Sequence, residues 1–151
     1  MSATRRDFLK LVTAAASIAA AGLGWTRQAW AQNWNKAGFE AKAVAEVMKS
    51  LGAANPADSK DIVITAPDIA ENGAVVPVAV TSRIPNTESI AIIAEKNPFP
   101  LAASFEVGNA EPYVSTRIKM AETSNVRAVV KAGGRFHMAV KEVKVTIGGC
   151  G

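Results

Sequence analysis

From Pro56 onward the chain is a succession of short apolar runs cut by proline and glycine, and this punctuation constrains the fold more than any other feature. Asp61 to Ala66 is a short β-like run closed by Pro67, and the turn signal Glu71-Asn72-Gly73 leads into a second run, Ala74 to Ser82. Arg83-Ile84-Pro85-Asn86 breaks the chain before Ser89 to Ala94, which reads as a buried strand. Asn97-Pro98-Phe99-Pro100 turns again into Leu101 to Val107. Val114, Thr116, Ile118 and Met120 then alternate with Ser115, Arg117 and Lys119, the period of a half-buried antiparallel strand. Val126, Ala128 and Val130 alternate with Arg127 and Lys131, with Val129 as an apolar intruder on the polar face. Ala132-Gly133-Gly134-Arg135 is a hairpin connection into a last run, Phe136 to Ile147.

About seven short strands at this spacing predict an all-β protein, an immunoglobulin-like β-sandwich. The Cys–Trp–Cys core of antibody domains is absent. Two local features refine the expectation. Pro77 lacks the ladder donor, which predicts an edge strand or a bulge for its run. In the last run Phe136, Met138 and Val140 share one parity and Val143, Val145 and Ile147 the other, so a β-bulge is expected at Lys141-Glu142. Before the strands, Phe39, Ala43, Val47 and Leu51 recur every four residues. They predict one added N-terminal helix over Asn35 to Leu51, stopped by Gly52 and Pro56 and packed on a sheet or a partner.

The first 31 residues read as an export signal. Thr4-Arg5-Arg6-Asp7-Phe8-Leu9-Lys10 has the twin-arginine pattern, and Leu11 to Leu23 is an apolar stretch too short to span a bilayer. Ala29-Trp30-Ala31 offers the cleavage site, so the expected divisions are 1–31 signal, 32–147 helix plus sandwich, and 148–151 a C-terminal arm. The expected location is the periplasm, reached in the folded state, with no membrane attachment after cleavage. Folded export favours a protein that travels with a cofactor or a partner, and no cofactor motif is present. The net charge of +4 belongs mostly to the signal. Thirteen basic and twelve acidic residues remain after residue 31, a net +1 that gives no nucleic-acid footprint.

The chemistry-bearing residues are few. His137 is the single histidine, and with one cysteine it cannot make a zinc site. Asp58, Asp61, Asp68 and Glu71 match no calcium-loop spacing and read as solvated charge. Neither C-x-x-C, nor G-x-S-x-G, nor a phosphate loop occurs. What remains is Gly148-Gly149-Cys150-Gly151. These glycines predict a slender, mobile arm on which a lone thiol has almost nothing to pack against. The tail also fits a free end whose cysteine is incidental, but an unpaired thiol in an oxidising compartment is a liability unless it is used.

The ending Ile147-Gly148-Gly149-Cys150-Gly151, behind a twin-arginine signal and a β-rich domain, resembles the SoxY family, the sulfur-carrier subunits of the bacterial Sox thiosulfate-oxidising system. The resemblance extends through Val143 to Thr146, Ser115 to Ala128 and Ala66 to Gly73. It implies a carrier rather than an enzyme, with Cys150 as the covalent attachment site for thiosulfate-derived sulfur and Gly148, Gly149 and Gly151 as the arm. No cofactor beyond that bound sulfur is implied. The implied partners are a SoxZ-like β-sandwich subunit in a heterodimer and, transiently, a haem-containing sulfur transferase, a sulfate-releasing hydrolase and a sulfane dehydrogenase. One departure stands out: the family ends with two glycines after the cysteine, and here only Gly151 follows. The nearer carboxylate is expected to disfavour the thiolate, an effect muted by water. Other readings of the tail are an assembly module joined by an intermolecular disulfide, a thiol enzyme using His137, and a ubiquitin-like carrier, which would activate a terminal carboxylate rather than a thiol.

Overall fold

The structure, a computed structural model, describes residues 34–147. The expected export signal and cleavage site, and the tail from Gly148, lie outside the described residues. Two short helices, α1 (Lys36–Glu40) and α2 (Val44–Leu51), precede nine strands. These are β1 (Ala57–Asp58), β2 (Ile62–Thr65), β3 (Ile69–Ala70), β4 (Val76–Ser82), β5 (Thr87–Ala94), β6 (Leu101–Glu106), β7 (Tyr113–Ile118), β8 (Ser124–Ala132) and β9 (Arg135–Val145). One sheet has the order β1-β9-β8-β5-β6, with β3 also on β9, and the other the order β2-β4-β7. The two sheets form the expected all-β sandwich. Gly133 and Gly134 take φ of 54° and 73° in the two-residue connection between β8 and β9, where only positive φ matches the strand twist.

Two apolar cores lie on either side of the larger sheet. Between the sheets, Ile90, Ile92, Val126 and Val130 meet Val76, Val78, Val80 and Ile62. On the outer face Ala91, Ile93, Leu101 and Val129 are covered by Ala41, Val47, Ala53 and the half-buried Phe39, Val44, Met48, Leu51 and Phe136. A strand covered on both faces needs apolar residues at both parities, which accounts for the unbroken run of β5 and for Val129 in β8.

The single helix expected over Asn35 to Leu51 is instead two helices broken at Ala41–Ala43. Asn35 caps α1 by accepting from Gly38 N at 3.0 Å and donates through Nδ2 to Ser50 O at 3.3 Å, so the chain folds back on itself. The alanine-rich face of one long helix would bury little; folding it double puts Phe39 and α2 on the same patch of sheet. As anticipated, Gly52 ends α2. At φ 76° it donates to Lys49 O while Ala53 donates to Met48 O, a Schellman closure.

The bulge expected at Lys141-Glu142 is not there. Val126 pairs with Lys141 and Asn125 with Glu142 in unbroken register. The parity switch arises because β9 is covered on opposite faces at its two ends: Phe136 lies under the helices, whereas Val143 and Val145 face the second sheet. The irregularities of this sheet fall instead in β5, between Thr87 and Ser89 against β8 and between Ile92 and Ile93 against β6. Pro77 is likewise neither in an edge strand nor at a bulge, since β4 is the central strand of its sheet. Its ring nitrogen faces the side where β2 has already ended, at Thr65 opposite Ala79, so no ladder bond is lost.

Candidate functional site: the root of the C-terminal arm

Cys150, Gly148, Gly149 and Gly151 lie outside the described residues, and the structure defines the site by the root from which they extend. β9 delivers that root. Strands β1 and β3 attach in parallel to its free edge, Ala57 opposite His137 and Ile69 opposite Lys144, and between them the chain crosses to the other sheet as β2. Lys141 ties this crossing down, donating to Ala66 O at 2.7 Å and pairing with Asp68 at 3.0 Å.

Beyond Lys141 the last residues are held one by one. Lys144 N donates to Asp68 O (3.0 Å) and Thr146 N to Ala70 O (3.1 Å). Val145 N donates to Thr123 Oγ1 (2.9 Å), and Thr146 Oγ1 donates to Glu71 O (2.9 Å). Gly73 N donates to Ile147 O at 2.7 Å, while Gly73 O accepts from Met120 N at 2.7 Å. Backbone pairing therefore continues to Ile147, whose side chain is 69% exposed. Three residues of chain separate Ile147 from Cys150, a span of about 10 Å when extended.

His137 sits ten residues back along β9, roughly 33 Å from Ile147 at strand rise, opposite Val130 and Ala57. The fold thus separates the histidine from any position an arm of this length can reach, which removes support from a His137-assisted thiol enzyme. Asp58, Asp61, Asp68 and Glu71 are exposed, and no group of three or more potential metal ligands occurs among the described residues. A concavity of about 390 Å³, lined by Arg83, Ile84, Asn86, Thr87 and Asn109, lies at the opposite end of the sandwich. Among the described residues no helix is long and apolar enough to cross a membrane.

The clamp residues Thr146, Thr123 and Gly73 were not singled out by sequence reasoning. Glu71-Asn72-Gly73 reads only as a turn, and a threonine near a strand end carries no signal. Yet the three stretches on which the resemblance rests, 66–73, 115–128 and 143–147, converge in space at this root.

Backbone pairing runs to Ile147, immediately before Gly148-Gly149-Cys150-Gly151, so the class defined here is an all-β sandwich with a C-terminal Gly-Gly-Cys-Gly segment rooted at one end. Comparison with known proteins agrees. The family described as sulfur oxidation protein SoxY matches residues 47–150, more than half of the chain. Seventeen chains of solved structures match. Among them is the sulfur carrier protein SoxY from Chlorobium limicola f. thiosulfatophilum, 43% identical, covering 71% of this chain and 95% of its own, with a TM-score of 0.63. A comparison with curated proteins found no match. This chain belongs to the SoxY family.

Proposed function

We propose that this protein is a periplasmic sulfur carrier that holds thiosulfate-derived groups covalently on Cys150 and presents them to the separate enzymes of thiosulfate oxidation. The observation that carries the reading is the clamped root. Pairing runs to Ile147, so the body fixes the point from which the glycine-cysteine segment extends. Such an arm carries cargo well and preorganises catalysis poorly.

The chemistry expected at the thiol is simple. Joining the Cys150 thiolate to the sulfane sulfur of thiosulfate makes one S–S bond and releases two electrons, which a haem-containing partner accepts. Water then attacks the terminal sulfonate, releasing sulfate and two protons and leaving a cysteine persulfide, which a dehydrogenase oxidises further. A thiol with an ordinary pKa near 8.5 is only a few per cent thiolate at neutral pH, so activation falls to the enzyme pocket that receives the arm. The body of the protein works with a SoxZ-like β-sandwich subunit, and export of the folded pair by the twin-arginine route fits residues 1–31.

The test is an intact mass of the protein from the periplasm of thiosulfate-grown cells, before and after reductant. Sulfur- or thiosulfonate-sized increments that reductant removes, and that Cys150→Ser abolishes, are expected. A bare thiol or only a disulfide-linked dimer under every growth condition would sink the carrier reading in favour of the assembly module.

A further inference from the structure

The end of the sandwich that bears the arm is also where apolar side chains are left in water. Seven large hydrophobic residues are exposed among the described residues, and four of them, Ile69, Val75, Phe99 and Ile147, are 52–69% exposed and belong to this end. The loops that carry them are tied together. Asn97, in the connection from β5 to β6, donates to Lys119 O (2.7 Å) and accepts from Ala121 N (3.0 Å). Met120 N reaches Gly73 O, and Gly73 N reaches Ile147 O. A line of hydrogen bonds therefore crosses the whole end, from the Phe99 loop through the Val75 loop to the arm root. This is a held surface, not a set of loose tips.

The length of the arm says what must cover it. Cys150 lies about 10 Å beyond Ile147 at full extension. A protein that takes the sulfur deeper than its own rim has to bring that rim against this end, because no slack remains. Several charges at this end are already paired, Asp68 with Lys141, Glu122 with Lys96 and Glu95 with Arg127.

Resting on the carrier reading, we propose that Ile69, Val75, Phe99 and Ile147 form a docking collar for the apolar mouth of the enzyme channel that receives the arm. Recognition is then divided: the arm supplies the reacting group, and the collar supplies the contact that any enzyme of the system makes with its rim. A collar of a few separated apolar residues gives the weak, quickly reversed association that a shuttle between several enzymes needs.

The experiment uses the full mature chain in complex with its partner subunit, with Cys150 chemically charged as the thiosulfonate and offered to the sulfate-releasing hydrolase of the same cells. Val75→Ser with Phe99→Ser, neither of them on the arm, is expected to raise KM about tenfold or more and leave kcat within about twofold. The alkylation rate of uncharged Cys150 by iodoacetamide stays at the wild-type value, which shows the arm itself is unaltered. Tyr113→Ser, in a strand whose paired end faces away from the arm, leaves KM unchanged. Ile69→Ser is the alternative should the double variant melt early. A KM within about twofold of wild type in the collar variants, with Cys150→Ser inactive, means that the arm alone is recognised and overturns the collar while the carrier stands. No turnover of the charged wild-type protein overturns the carrier reading and the collar with it.

Discussion

Glu88 of β5 and Lys131 of β8 lie 2.6 Å apart, and Glu88 also accepts from Gly134 N at 3.0 Å, so one carboxylate pins the turn between β8 and β9. The hydrogen bond from Lys131, then that from Gly134, holds the Glu88 carboxyl below its ordinary value, and the same contact raises the Lys131 ammonium. The signs follow. The Glu88 contribution is present above the ordinary value of 4.5 and is lost as the pH falls through the lowered folded value. The Lys131 contribution is present below 10.5 and is lost as the pH rises through its raised value. Glu88→Gln is therefore expected to lower the urea midpoint at pH 7, with the gap to wild type narrowing as the pH falls toward 3. Urea melts at the two pH values decide it; an equal gap at both would mean that charge is not the cause. Residues acting through backbone sterics were legible at this scale. Gly52 at the end of α2 and the Gly133-Gly134 turn are both readable from local sequence, because the strain they relieve is local.

At the scale of elements the helical hairpin shows how a small residue decides a packing. A Cβ on Gly38 would stand 2.7 Å from Ser50 Oγ, 2.8 Å from Asn35 Nδ2 and 3.0 Å from Leu101 Cδ2. Neither polar atom can simply swing away, since Ser50 Oγ donates to Val47 O (2.7 Å) and Asn35 Nδ2 donates to Ser50 O. Alanine normally gains up to about 1 kcal/mol over glycine inside a helix, but overpacking costs about 1–3 kcal/mol. Gly38→Ala is expected to lose about 1 kcal/mol or more net by chemical denaturation, and a gain would show that the two helices are not in close contact. Strands were easier to read than this helix, since all seven expected runs appear. The two-residue strands β1 and β3 were invisible because so short a run has no period. The break at Ala41–Ala43 was missed because a four-residue apolar repeat describes a helix face, not whether a single sheet patch calls for that face to be folded double.

For the molecule as a whole, Ile92 and Ile93 are neighbours in sequence, both 0% exposed, and belong to different cores. If the helical hairpin merely decorated the sandwich, truncating the side chain beneath it would matter little. Full burial says otherwise. Ile93→Ala is expected to cost about 2–5 kcal/mol, the same range as Ile92→Ala, in equilibrium unfolding. A loss under about 1 kcal/mol for Ile93→Ala alone would demote the second core.

By itself the sequence determined the strand-and-turn grammar and the all-β class, and it left the tail cysteine as the expected seat of any chemistry. These are set by period-two alternation, by proline and glycine sterics and by the scarcity of other reactive groups. Tertiary structure alone decided which side of each strand is covered, and by what. The parity switch in β9 is one helix cover and one sheet cover on a regular strand, and Pro77 is harmless because its neighbour stops at Thr65. It also decided that the turn Glu71-Asn72-Gly73, Thr123 and Thr146 meet at the arm root. Local sequence restricts the backbone and alternates the faces, but the partner that buries a face or completes a hydrogen bond lies far along the chain. Only the folded arrangement brings it there.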